Sequence, residues 1–282
     1  MKKINRCGFI FIIGKPNTGK STLINSLIRQ KISIISKRSQ TTMDCIQGIL
    51  NTNNEQFIFL DTPGIKSKYI LKNSNNLNKI INNFSKKIDV LLHLVDFSDY
   101  IKKKENFLIN FSKNFIVILV INKIDILKKK SEIFEHLKKI IYKYNYSSII
   151  SISAKKKYKI KFLINEISVY LPIQNRIYCK YFVTNKPLNF IVSEILREKC
   201  FIYLNNELPY YFSIYVNHCR EINNFIHINL YIFLKKKNHK IIFIGEKGNM
   251  INHILKKTKQ EIKNLVKKKI HLNIFFKLSL ND

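Results

Sequence analysis

The segment Gly14-Lys15-Pro16-Asn17-Thr18-Gly19-Lys20-Ser21 has the spacing G-x-x-x-x-G-K-[ST]. It follows an apolar run, Cys7–Ile13, and opens a helix-like one, Lys20–Arg29. In that setting successive backbone N–H groups cradle phosphate oxygens, and the positive end of a helix lies behind them. Lys20 then reaches the β- and γ-phosphates, and Ser21 gives its hydroxyl to Mg²⁺. A structural turn could match this spacing by chance, so the other segments decide the matter.

Three such segments follow in order, each after an apolar run. Asp61-Thr62-Pro63-Gly64 follows Gln56–Leu60. Asp61 is expected to support the Mg²⁺ shell, and the Gly64 N–H to sense the γ-phosphate. Asn122-Lys123-Ile124-Asp125 follows Phe115–Ile121. A carboxylate at Asp125 can accept from the ring N–H and the amino group of guanine; adenine has no donor at that ring nitrogen and is rejected. Ser153-Ala154-Lys155 follows Ile149–Ile152 and is expected to offer backbone N–H to the guanine oxygen. Between the glycine loop and Asp61 lies Gln40-Thr41-Thr42-Met43-Asp44. This is the place for a mobile switch, with Thr42 ligating Mg²⁺ when the γ-phosphate is present. The residue after Gly64 is Ile65, where many GTPases carry a water-orienting Gln. Slow intrinsic hydrolysis is expected, and the alternative is an RNA-binding module whose G domain only senses guanine nucleotides. A P-loop enzyme acting on a small molecule has no need of Asn122–Asp125 as a guanine reader.

A second cradle is expected near the other end. Gly245-Glu246-Lys247-Gly248 is placed between a strand, Lys240–Ile244, and a helix, Asn249–Val266. G-x-x-G in such a position is how KH domains clamp about four nucleotides of a single strand. From Lys235 to Lys277 there are 13 Lys against Glu246 and Glu261, a net +11 in 43 residues. Phosphate contact needs that concentration of charge.

The elements that must hold these residues fall into two series. Strand-like runs Cys7–Ile13, Cys45–Leu50, Gln56–Leu60, Val90–Val95, Phe115–Ile121 and Ile149–Ile152 alternate with helical patterns at Lys20–Arg29, Asn75–Phe84, Lys103–Phe111, Glu132–Tyr144 and Ile160–Leu171. Such alternation predicts a mainly parallel sheet covered on both faces, with ligands at the carboxyl ends of its strands. Pro172 ends the last helix, so residues 1–173 form one domain and 174–186 a linker. Residues 187–282 then read helix Leu188–Ile202, strands Tyr210–Val216, Phe225–Leu234 and Lys240–Ile244, helix Asn249–Val266 and strand Ile270–Phe276.

Bulk properties set limits. The chain has 282 residues, is 46% hydrophobic and carries a net charge of +32, so it can bury cores and attracts polyanions. Charge alone locates no site, because residues 1–173 hold 31 Lys+Arg against 11 Asp+Glu and residues 174–282 hold 19 against 7. Five scattered cysteines without a C-x-x-C pair argue against a zinc site or a disulfide framework and fit a reducing cytoplasm. No apolar run approaches the ~20 residues of a spanning helix. The 20 Phe and 14 Tyr are assigned mostly to core, and none is taken as a base-stacking platform.

With these residues in view, the chain resembles the Era family of GTPases along nearly its whole length. The resemblance rests on Gly14–Leu23, Gln40-Thr41-Thr42, Asp61–Gly64, Asn122–Asp125, Ser153–Lys155 and Ile244–Met250. It rests above all on Ile195-Leu196-Arg197-Glu198-Lys199 with Glu207-Leu208-Pro209-Tyr210, which generic P-loop GTPases lack. It implies an α/β P-loop GTPase (a Ras-like G domain) followed by an α+β type II KH domain. It also implies GTP and Mg²⁺ as ligands and binding of the 3′ end of 16S rRNA in maturing the 30S subunit. The chain is then expected to act as a cytoplasmic monomer, with peripheral contact with the inner membrane. The chain departs from the family's pattern at Met43-Asp44, at Glu246 and at Lys155–Lys157, which follow Ser153-Ala154 without a glycine.

Overall fold

In the computed structural model the described residues are 5–30, 46–61, 88–96, 116–126, 146–204 and 211–278. The described residues divide into two units, those up to Asn185 forming the first and those from Lys186 onward the second.

The first unit is built on a six-stranded sheet. Its strands are β1 (Arg6–Gly14), β2 (Ile46–Asn51), β3 (Glu55–Asp61), β4 (Val90–Asp96), β5 (Ile116–Asn122) and β6 (Ser148–Ser151). They lie in the order β2-β3-β1-β4-β5-β6. All neighbours pair in parallel except the edge strand β2, which runs antiparallel to β3. Every residue of β4 is buried, and β5 is buried after Ile116. Continuous apolar runs are what central parallel strands need when both faces are covered. Helix α1 (Lys20–Ile28) turns Leu23, Ile24, Leu27 and Ile28 into that core. Helix α2 (Ile160–Tyr170) buries Ile160, Leu163 and Ile167, which repeat at helical spacing. The orphan carbonyls at its end are met by Arg6, whose Nη1 donates to Ser168 O, Val169 O and Leu171 O at 3.0–3.1 Å. The helices expected at Asn75–Phe84, Lys103–Phe111 and Glu132–Tyr144 lie outside the described residues.

The segment expected as a linker is laid against this first unit. Gln174 Nε2 donates to Cys7 O at 2.6 Å, and Arg176 Nη2 donates to Thr52 O and Asn53 O at 2.7 Å. Gln56, wholly buried, is its anchor. Its Oε1 accepts from the Ile177 and Tyr178 amides at 2.9 Å, and its Nε2 donates to Tyr178 O at 2.8 Å. Further on, the Ile49 amide donates to Val183 O and Gly48 bridges to Thr184, which covers part of the exposed edge of β2.

The second unit has the order α3 (Leu188–Tyr203), β7 (Phe212–Ile222), β8 (Phe225–Leu234), α4 (Lys237–Ile244), α5 (Asn249–Val266) and β9 (Lys269–Leu278). Its three strands lie β7-β8-β9; β7 and β8 are antiparallel, and β8 and β9 parallel. Asn223 (φ 48°) and Asn224 (φ 65°) make the two-residue turn between β7 and β8, the pairing of positive φ values that a tight hairpin prefers. Lys240–Ile244, expected as a strand, is instead helical. A short apolar run does not distinguish a strand from a helix by periodicity. Here only Phe243 of that run is fully buried, while Ile241 is 71% exposed, and β8 already has a partner on each side. The Arg197-Glu198-Lys199 segment joins α3 to α5: Lys199 Nζ is paired with Glu261 and lies 3.5 Å from Glu198 Oε1. Burial alone would lower the Lys199 pKa, but the two carboxylates more than offset it and hold it above its ordinary value.

Candidate nucleotide and nucleic-acid sites

The glycine loop leaves the carboxyl end of β1 and enters α1 at Lys20. Two glycines fix its path. A Cβ at Gly14 would stand 2.4 Å from Leu94 O and 2.9 Å from Thr18 Oγ1. Gly19 has φ +99°, and a Cβ there would meet Asn122 Nδ2 at 2.4 Å. Asn17 also takes a positive φ, 66°. Pro16 sits in the turn, and Thr18 Oγ1 donates to Lys15 O at 2.9 Å. The Lys20 ammonium, almost fully buried, donates to Gly14 O and Lys15 O at 2.8 Å. The first turn of α1, which includes Ser21, holds no acidic residue. Backbone donors, a buried ammonium and an uncompensated helix N-terminus together favour an anion.

The reader segments converge on this loop. Asn122 closes β5 and is 2% exposed. Its Nδ2 donates to Thr18 O at 2.9 Å, and its Oδ1 accepts from the Ala154 amide at 3.0 Å. Asp125 Oδ1 accepts from Ser153 Oγ at 2.6 Å, and that hydroxyl in turn accepts from the Lys156 amide at 3.1 Å. Ser26 Oγ on α1 donates to Ala154 O at 2.9 Å. Lys155 is exposed at the rim. The Lys123 backbone adopts φ 65°, and its Nζ lies 2.6 Å from Asp96 Oδ2 at the end of β4. The sequence reading passed over Asp96; a carboxylate closing a strand of this sheet on the ligand-bearing edge was the available signal. Asp61 closes β3 on the same edge, in register with Ile12. Thr42, Thr62, Pro63 and Gly64 lie outside the described residues.

In the second unit Gly245–Gly248 links helix α4 to helix α5, so the loop joins two helices and not a strand to a helix. Gly245 (φ +69°) and Gly248 (φ +82°) flank Lys247 at φ 49°. A Cβ at Gly245 would come within 2.6 Å of Met250 Cβ. Glu246 and Lys247 are both exposed. Ile241 and Ile242, one turn before the loop, are 71% and 41% exposed; reading that run as a strand concealed them.

A phosphate loop at the strand ends of a mainly parallel sheet, tied to an N-K-x-D reader, defines a P-loop guanine-nucleotide protein, and a second α+β unit follows it. Residues 9–123 match the family model described as 50S ribosome-binding GTPase, and residues 207–281 match that of the KH domain. The chain is 38% identical over 281 residues to GTPase Era of Buchnera aphidicola subsp. Schizaphis graminum, covering 99% of each protein. To GTPase Era of Bordetella petrii it is 32% identical over 273 residues, 97% of this chain and 92% of that protein. A crystal structure of Aquifex aeolicus Era bound to GDP and AlF4⁻ superposes with TM-score 0.83 at 32% identity, over 97% of this chain and 94% of that one. Era in complex with MgGDPNP and nucleotides 1506–1542 of 16S ribosomal RNA gives 0.80 at 30% identity, with the same coverage. The chain belongs to the Era family of GTPases.

Proposed function

We propose that this protein hydrolyses GTP to GDP and phosphate in the first unit and couples that cycle to holding the single-stranded 3′ end of 16S rRNA in the second, in assembly of the 30S subunit. The observation that carries the reading is the Asn122 amide, which ties the phosphate loop at Thr18 to the guanine-reading segment at Ala154. In this reading the N–H groups of residues 14–21 take up the phosphates, and the Lys20 ammonium turns to the β- and γ-oxygens, where charge builds as the phosphoryl group transfers. Asp125, held by Ser153, accepts from the guanine ring N–H and amino group. Lys123 is positioned by Asp96, and the Lys155 amide faces the base oxygen, while the Ala154 amide stays on Asn122 Oδ1 and holds that loop in place. Ser21 and Thr42 would hold Mg²⁺, with Asp61 behind them; the ion supplies neutralisation of charge between the β- and γ-phosphates. A loop whose glycines leave no room for a Cβ suits that nucleotide. Thr42 and Gly64 order around the γ-phosphate and release it after hydrolysis.

Gly245, Glu246, Lys247 and Gly248 face the RNA backbone, and Ile241, exposed one turn earlier, offers an apolar contact beside them. The protein works in the cytoplasm as a monomer, with peripheral contact with the inner membrane through its basic surface. No described helix is long and apolar enough to cross a membrane. The test is single-turnover GTP hydrolysis with and without small ribosomal subunits, together with crosslinking to 16S rRNA in the GTP and GDP states. Hydrolysis accelerated by subunits and adducts near the rRNA 3′ end are expected. No hydrolysis in either condition would remove the enzymatic half, and adducts spread without sequence preference would remove the rRNA half.

A further inference from the structure

We propose that the open face of the second unit's sheet is an additional single-stranded RNA surface, distinct from the Gly245–Gly248 loop and going beyond the function above. Strand registers stack outward residues in five rows, running Ser213-Phe233-Lys277, Tyr215-Tyr231-Phe275, His218-Asn229-Asn273, Arg220-His227-His271 and Ile222-Phe225-Lys269. The alternate residues of β8, from Ile226 to Leu234, are buried on the opposite face. None of these fifteen outward positions is Asp or Glu, while five are Phe or Tyr, three are His and three are Lys or Arg. Tyr215 is 58% exposed and Phe275 45%.

The rings form two islands. In one, the His227 and His271 rings stack at 5.0 Å and 12°, with the Phe225 ring 5.2 Å from that of His271. In the other, the Tyr231 and Phe275 rings lie 5.4 Å apart. A cation covers each island: Lys269 Nζ is 5.4 Å from the Phe225 centroid and Lys277 Nζ 4.1 Å from that of Tyr231. Between them Asn273 Nδ2 donates to Asn229 Oδ1 at 3.1 Å. Four residues along a strand separate His227 from Tyr231, about 13 Å. Planar rings for bases, cations beside them for phosphates and amides between for base edges are the parts of a stacking platform. A duplex hides its base faces from such rings, so the occupant is a single strand. The acid-free surface complements its charge, and the polar central row is ill suited to entering lipid.

The test uses the full chain, a fluorescein-labelled 12-nucleotide oligouridylate and anisotropy at several salt concentrations. Tyr215→Ser with Phe275→Ser should weaken binding about ten-fold or more and leave the salt dependence unchanged, because stacking and not charge is lost. Lys277→Gln should lower the slope of log affinity against log salt by about 0.7. The aromatic pair is also measured with Lys247→Glu in place. A ten-fold loss in both backgrounds supports the platform, even if Lys247→Glu itself changes nothing and the loop assignment falls. Unchanged affinity for the aromatic pair overturns it, as does loss of binding to phosphatidylglycerol vesicles with RNA affinity intact. Thermal unfolding and GTP turnover, both expected to match the parent protein, guard against misfolding.

Discussion

The side-chain amide of Asn122 is bonded on one side to the carbonyl of Thr18, 104 residues earlier, and on the other to the amide of Ala154, 32 residues later. One planar group thus fixes the distance between the phosphate loop and the base-reading loop. Gly19 belongs to the same arrangement, since any Cβ there would occupy the space of Asn122 Nδ2. Three segments far apart in sequence therefore depend on one buried amide.

Asn122→Ala should leave Thr18 O and the Ala154 N–H buried without partners, at about 1–3 kcal/mol each. The expected result is a first unit less stable by about 2–5 kcal/mol and GDP affinity at least about 100-fold weaker, because both halves of the site lose their spacing. Calorimetric titration with GDP and a denaturant melt check this. Asn122→Asp, which can accept from Ala154 but turns a charged acceptor toward the Thr18 carbonyl, should be at least as damaging. Equal affinity for all three proteins would show that the tie is incidental.

Gly19→Ala should weaken nucleotide binding as severely by a different route. The positive φ alone costs a side-chain-bearing residue about 1–2 kcal/mol. The added methyl must also displace Asn122 Nδ2. GDP uptake should be lost while the second unit keeps its melting behaviour, and uptake at the parent level would contradict the close approach.

Much of this was legible in the sequence. The six strands stand out because both faces of a central parallel strand are apolar, and the phosphate loop because its glycines sit among residues that otherwise avoid them. Two features were not legible. The run Ile241–Ile244 carries too few residues to show a period, and its helical form is seen only in the structure, where Phe243 alone of the four is fully buried. The aromatics of β7 to β9 alternate with other apolar residues, so composition assigns nearly all to core. Register and the bulge between Val216 and His218 decide which set faces water, and neither can be read from one strand alone. Gln56, a polar residue opening an apolar run, gave no sign of anchoring a segment about 120 residues away.

His93 should make the first unit acid-sensitive. It is buried on β4, its Nδ1 2.9 Å from the Tyr146 hydroxyl, and burial pushes its pKa down from 6.5 to about 3. The unfolded imidazole takes a proton below pH 6.5 and the folded one does not until about pH 3. The unfolded state therefore binds more protons in that window, and stability falls as pH drops, by at most about 1.4 kcal/mol per pH unit. Denaturant unfolding at pH 7.5 and pH 5.0 should show a penalty of about 2 kcal/mol that His93→Gln removes. An identical pH dependence in the variant would mean that His93 is not its source.

Gln56→Leu should separate the segment following α2 from the nucleotide site. The change keeps approximate volume but strands the Ile177 and Tyr178 amides and the Tyr178 carbonyl, all now satisfied by one side chain. A loss of about 2–4 kcal/mol is expected in the first unit. Hydrogen exchange should accelerate at Ile177 and Tyr178, whose protection depends on Gln56 Oε1. Gln56 lies near the start of β3 and Asp61 at its end, about 17 Å along the strand. GDP affinity should consequently change by less than about two-fold, well under 1 kcal/mol. If affinity fell in step with amide protection, the packed segment would have to be part of the nucleotide-binding apparatus itself, since nothing between Gln56 and the loop is altered by the substitution.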